Sequence, residues 1–208
     1  MESALRRASA APGLKLIETM LWDGRAVPRL ALHLARLTQG AAALGWAEPL
    51  VAARAALAGL APDGPARLRL TLDAAGVVAV EVGALPAPRA EWRLGLAAER
   101  LDSGDPWLRV KSTRRGAYDR ARAALPEGLE ELVFANELGE VCDGTITTLF
   151  FDRGQGLRTP PLRCGLLPGV LRAEMACPEE VLRVEDLPRV RLWVGNALRG
   201  LMPAVWVA

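Results

Sequence analysis

Few side chains in this sequence can do covalent or proton-transfer chemistry. Among 26 basic residues only Lys15 and Lys111 are lysines, and His33 is the sole histidine. A Ser-His-Asp or Cys-His arrangement would have to be built on that one imidazole, so acid–base work falls more naturally to a lysine or a carboxylate. Lys15 lies in LKLIETMLW, which reads as a strand with the lysine turned to solvent. Lys111 opens KSTRRGAYDRAR and is the lysine to consider for chemistry, although composition alone favours a solvated surface residue. Arg36 follows His33 by three positions on the flank of a helical pattern, as a plain helix flank or as a planar fork that suits a phosphate. Asp143-Gly144 interrupts a run of threonines and phenylalanines, as an ordinary turn or as a carboxylate aimed at a ligand. Pro168-Gly169 precedes a helical pattern whose first amides, those of Val170 and Leu171, point out of the helix start. That start is a proline-led helix or a seat for phosphate.

Composition narrows the setting. The chain has 208 residues, is 51% hydrophobic and carries a net charge of +2 with a pI near 8.6, which predicts a soluble globular protein with ample core. Its arginines are interspersed with acids and form no basic run, so nucleic acid is not an expected partner. Cys142, Cys164 and Cys177 are widely spaced with no CxxC pair, which predicts reduced thiols, no metal site and a cytoplasmic location. No apolar run reaches the roughly 20 residues of a membrane span, and MESALRRASAAPG lacks the apolar centre of a secretory signal.

Several elements must hold those side chains. LKLIETMLWDGRAVP predicts two strands joined at Asp23-Gly24. Leu30, Leu34, Leu37, Ala41 and Leu44 form one face of an amphipathic helix with His33 and Arg36 beside it, and a second helix is predicted over residues 49 to 60. ARLRLTLDAAGVVAVEVG reads as a hairpin turning at Asp73 to Gly76, and ALPAPRAEW as the linker between two halves. The second half begins with the strand WRLGLAAE and a loop at Ser103 to Pro106. A helix over 113–125 then stops at Pro126 and Gly128. ELVFANELGEVCDGTITTLFFD predicts strand, turn at Asn136 to Gly139, and a second strand broken at Asp143-Gly144. The C-terminal stretch gives two strands around Asn196 to Gly200.

In order along the chain, IET, HLARL, KSTRR, NELGEVCDGTITTLFF, TPPLRCGLLPGVLR and GNALRG resemble the class IV aminotransferase family, the pyridoxal-phosphate (PLP) enzymes of fold type IV. The likeness runs from about Ile17 to the C-terminus. Within the family, the NALRG turn followed by proline is more similar to the aminodeoxychorismate lyases than to the branched-chain or D-amino-acid transaminases.

The resemblance implies a D-amino-acid-aminotransferase-like α+β fold of two domains, residues 1–86 and 87–208. The second would carry the cofactor lysine, with PLP in the cleft between them and a homodimer completing the site. Lys111 would attach to the cofactor aldehyde and later carry the proton. Asp143 would face the pyridine nitrogen, where most relatives have glutamate, and Thr148 stands where asparagine is usual. Arg36, the amides of Val170 and Leu171, and Asn196 would hold the phosphate end. Arg115, Arg199 or Thr145 would meet the carboxylates of a small amine substrate. Tyr118 reads as a helix packing residue, and the strand and loop that usually precede IET are largely missing. The implied reaction converts 4-amino-4-deoxychorismate to 4-aminobenzoate and pyruvate in folate synthesis. An amino-acid transaminase and a catalytically silent relative acting as a binding protein are the alternatives.

Overall fold

The structure, a computed structural model, describes residues 2–207. The chain forms two compact units. The first comprises Met1–Ala87 with Val110–Arg114, and the second Pro88–Arg109 with Arg115–Ala208. Among the described residues no helix is long and apolar enough to cross a membrane.

In the first unit, β1 (Lys15–Trp22), β2 (Ala66–Asp73) and β3 (Val78–Gly83) form an antiparallel sheet in that order, with helices α1 (Glu2–Ala8), α2 (Leu30–Leu44) and α3 (Leu50–Ala58). The alternation in β2 buries Ala66, Leu68, Leu70 and Leu72 on one face, as a period of two requires. Leu34, Leu37, Ala41 and Leu44 are the buried stripe of α2, which lies against β1. At Gly40 the approach is so close that a Cβ would stand 3.2 Å from the Leu16 methyls. The helix ends at Gly45, whose left-handed φ of 72° lets its amide return to the carbonyls of Ala41 and Ala42.

The hairpin expected at Asp23-Gly24 does not form. The Asp23 carboxylate instead accepts the amides of Arg25 (2.9 Å) and Ala26 (2.8 Å), using up donors that a ladder would need. Pro28 has no amide to offer, and the chain passes straight into α2. The partner of β1 is β2, in register from Lys15↔Asp73 to Trp22↔Ala66.

The KST segment joins the same sheet. Ile17 N donates to Lys111 O (2.9 Å), Thr113 N to Lys15 O (2.8 Å), and Lys15 N to Thr113 Oγ1 (3.0 Å). Lys111 therefore groups with the first unit, whereas the sequence reading drew it with the C-terminal half. The extended pairing also shortens the following helix, α4, to Gly116–Ala123.

The second unit is built on β4 (Trp92–Leu96), β5 (Glu131–Ala135), β6 (Val141–Gly144), β7 (Thr148–Asp152), β8 (Arg191–Asn196) and β9 (Gly200–Trp206), in the order β6-β5-β4-β9-β8-β7. β4 runs parallel to β5 and β9, and the other pairs are antiparallel. The two outer strands, β6 and β7, are consecutive in the chain and closed by Gly144 N donating to Thr147 O (2.8 Å), which makes the sheet barrel-like. β5, β6 and β7 are buried at every position, as their apolar sequences demand. Val133, Leu149, Phe151 and Val194 belong to one core cluster, and Leu132, Phe134, Cys142 and Leu166 to the other, with Tyr118 of α4 packed against the latter.

Candidate functional site

In the first unit, β1 supports both basic residues singled out from the sequence. Its backbone at Lys15 and Ile17 pins Lys111, which is half-buried, and its next side chain, Glu18, reaches α2. Glu18 Oε1 accepts Arg36 Nε (2.8 Å), while Oε2 accepts Arg36 Nη2 (2.6 Å) and His33 Nδ1–H (2.6 Å). The three-residue spacing on α2 sets His33 and Arg36 one above the other against this carboxylate. His33 is fully buried, not a flank, and its Nε2 has no hydrogen-bond partner. Arg36 keeps 11% of its side chain exposed. Burial pushes the Glu18 carboxyl up, but the Arg36 charge and the hydrogen bonds from His33 and Arg36 outweigh it and hold Glu18 below the usual carboxylate range. Glu18 escaped the sequence reading as a site residue; its signal was an acid inside an otherwise apolar strand.

In the second unit, Asp143 is a buried member of β6. Its Oδ1 accepts the Tyr118 hydroxyl (3.1 Å) and its Oδ2 the Leu167 amide (3.2 Å). Tyr118 does pack, edge-on to Phe134 with centroids 4.9 Å apart, but the packing also aims its hydroxyl at the carboxylate. Burial first, and then the Asp143 charge, push the Tyr118 pKa up, so the phenol stays a donor.

The turn after Asp143 is organised by a residue the sequence reading passed over. Glu131, fully buried at the start of β5, accepts Thr145 N (3.0 Å), Ile146 N (3.1 Å), Thr147 Oγ1 (2.9 Å) and the Thr145 hydroxyl. Arg115 donates from Nε to Asp119 (2.7 Å) and from Nη2 to Thr145 O (2.8 Å), with its guanidinium 5.6 Å from the Tyr118 ring centroid. Asn196 donates from Nδ2 to Ile146 O (3.1 Å), and its Oδ1 accepts the amides of Leu198 (3.1 Å) and Arg199 (3.0 Å). Asp143, Thr145, Arg115 and Asn196 are thus tied to one short loop. Arg199 lies with its guanidinium 5.3 Å from the Trp92 ring centroid.

Val170 and Leu171 are buried at the head of α5 (Val170–Met175), after an extended Gly169. The first amides of a helix have no acceptor within it. A Cβ on Gly169 would stand 2.6 Å from Thr148 Oγ1 of β7, and one on Gly195 of β8 would stand 2.5 Å from Leu171 Cδ2, so the two glycines let the start of α5 pack closely on both strands.

Cysteine is a poor candidate nucleophile here. Cys142 and Cys164 are buried, and burial pushes their thiols up, that of Cys164 to about 12. Among the described residues no group of histidines, cysteines and acids could hold a metal ion.

Residues 15–206 match the family model for class IV amino-transferases. A search of curated proteins gave no match. Among solved structures, a protein of Mesorhizobium loti provisionally named an amino-acid aminotransferase is 42% identical, with a TM-score of 0.85 over 93% of this chain and 100% of that one. A protein provisionally named a 4-amino-4-deoxychorismate lyase is 26% identical, with a TM-score of 0.80 over 96% and 87% of the two chains. A hypothetical aminotransferase of Mycobacterium tuberculosis in its PLP-bound form is 23% identical, with a TM-score of 0.76 over 96% and 83%, and bears on the fold alone. The match across nearly the whole chain, together with the 42% relative, establishes that the chain belongs to the class IV aminotransferase family of PLP-dependent enzymes.

Proposed function

We propose that the protein is a PLP-dependent lyase that converts 4-amino-4-deoxychorismate to 4-aminobenzoate and pyruvate. The reaction balances without water, oxidant or added group: a proton leaves the amine-bearing carbon, the enolpyruvyl group departs and becomes pyruvate, and the ring turns aromatic. The observation that carries the lyase reading is the turn from Asn196 to Gly200, closed by the Asn196 side chain and followed by Pro203, which is more similar to the lyases than to the transaminases.

The residues fit the cofactor. Asp143, a buried carboxylate held by the Tyr118 hydroxyl and the Leu167 amide, has the charge that suits a protonated pyridine nitrogen. Arg36, oriented by a bidentate Glu18, suits a phosphate dianion, and the amides heading α5 suit the same charge. When bound, PLP supplies an aldehyde for amine attachment and an electron sink.

The chain's own side chains supply the rest. The Lys111 amine would hold the cofactor and, once released, would take the proton from the amine-bearing carbon and deliver it to the departing group. Asp143 keeps the ring nitrogen protonated. Arg115 and Arg199 meet the substrate carboxylates, and Asn196 adds a polar contact through the remaining hydrogen of its amide. Thr145, whose hydroxyl is committed to Glu131, acts by shaping the loop. We expect a homodimer in the cytoplasm.

Purified, PLP-loaded protein should release pyruvate from 4-amino-4-deoxychorismate, and Lys111→Ala should not. The second reading, an amino-acid transaminase, is favoured by the 42% identity to the Mesorhizobium loti protein. Exchange between an amino donor and a keto acid, with no pyruvate released from 4-amino-4-deoxychorismate, would replace the lyase by that reading.

A further inference from the structure

A carboxylate with no exposed surface is tolerated only when its oxygens are satisfied. Glu131 meets that condition through the adjacent Leu132 amide (3.1 Å) and through donors drawn from three consecutive residues, Thr145, Ile146 and Thr147, so the chain wraps the carboxylate. A cation near it is Arg122, whose Nη1 is 3.6 Å from Oε1 on a side chain 38% exposed. The wrap leaves no room for a side chain at position 144. A Cβ on Gly144 would stand 2.5 Å from Thr147 Oγ1 and 2.7 Å from Glu131 Oε2. Asp143-Gly144 is therefore neither an arbitrary turn nor a carboxylate placed on its own. It is the entry to a loop whose conformation is dictated from β5.

That loop bears directly on the reactive groups. Asp143 immediately precedes it, the Thr145 carbonyl receives Arg115, and the Ile146 carbonyl receives Asn196. We propose that Glu131 is the positioning residue of the site: its buried carboxylate fixes the 144–147 loop and, through it, the placement of Asp143, Arg115 and Asn196. The inference rests on the PLP-enzyme reading of Asp143 but concerns the chain's own geometry. Glu131 itself touches neither cofactor nor substrate. Its effect is one of orientation, where a displacement of about 1 Å can cost on the order of 100-fold in rate.

Glu131→Gln tests it, because glutamine keeps the shape but replaces one carboxylate oxygen by an NH2 group that cannot accept from the loop's amides. In cofactor-free protein, amide hydrogen exchange at Ile146 should speed up at least about 10-fold, as expected where an amide loses its acceptor, and exchange at Thr145, whose amide keeps the Leu132 carbonyl at 3.2 Å, should speed up less, while Val194 and Met202 in β8 and β9 keep wild-type rates. In the loaded enzyme, kcat should fall by roughly 10- to 100-fold with a smaller change in KM. Wild-type exchange at Ile146 overturns the proposal, and so does fast exchange with unchanged kcat. Should Glu131→Gln fail to fold, Thr147→Val removes one loop donor and leaves the carboxylate in place. Faster exchange confined to 144–147 then supports the proposal, and no change contradicts it. If the protein proves not to use PLP, the exchange data still decide whether Glu131 fixes the loop, so the two failures are separable.

Discussion

Each unit buries a glutamate, and the two are satisfied in opposite ways. Glu18 meets charged or chargeable side chains, Arg36 and His33, both presented by one turn of α2. Glu131 meets the amide of its neighbour Leu132 and the amides and hydroxyls of one loop. The first arrangement aims a cation, and charge is its currency. The second moulds backbone, and its strength lies in the number of donors that converge on one carboxylate. Removing Glu18 should therefore release a guanidinium, whereas removing Glu131 should release a stretch of chain.

Substitutions can break this contrast or sharpen it. The largest effect is expected for Glu131→Ala, which takes the acceptor from the Ile146 amide and from the Thr145 and Thr147 hydroxyls, leaves the Thr145 amide with the Leu132 carbonyl alone, and at about 1–3 kcal/mol per unsatisfied group should lower the urea-unfolding free energy by roughly 2–6 kcal/mol. A loss below about 1 kcal/mol would mean that water or the loop itself satisfies those groups. Next is Glu18→Gln, which leaves Arg36 without its counter-charge and should cost about 3 kcal/mol by the same assay, together with weaker PLP retention. Unchanged cofactor affinity would return Arg36 to the role of a structural partner.

Gly144→Ala forces a methyl into contact with Glu131 and should cost about 1–3 kcal/mol, with little effect if the loop can open. Acid probes the Glu18 arrangement in another way. The folded-state pKa of Glu18 is depressed, so its contribution is fully present above the unfolded value near 4.3 and is lost as pH falls through the folded value. Thermal melts from pH 5 downward should show this loss in the wild type and a shallower one in Glu18→Gln. Tyr118→Phe is the smallest change, about 1 kcal/mol in stability for one hydrogen bond to Asp143.

The sequence disclosed what depends on local periodicity. The stripe of α2, the β2–β3 hairpin around Asp73 to Gly76 and the closing β8–β9 pair all follow from spacing that one element carries by itself. Motif order disclosed the family. What stayed hidden depends on partners far along the chain: Glu18 to Arg36 across 18 residues, Glu131 to Thr145 across 14, and Tyr118 to Asp143 across 25. No hydrophobic period encodes such a pairing, so His33 read as a flank and Tyr118 as packing alone. The Asp23-Gly24 hairpin failed for a related reason. A two-residue turn signal says that the chain reverses, but not that the strand after it has a neighbour, and here β1 is claimed by β2 on one side and the KST segment on the other.

That second claim on β1 is what gives Lys111 its fixed place, and the chain's two lysines make the assignment directly testable. Protein incubated with PLP, reduced with borohydride and digested should carry the pyridoxyl label on the peptide containing Lys111 and none on that containing Lys15, with no label in Lys111→Ala. Label on Lys15, or retained labelling in the Lys111→Ala protein, would contradict the account.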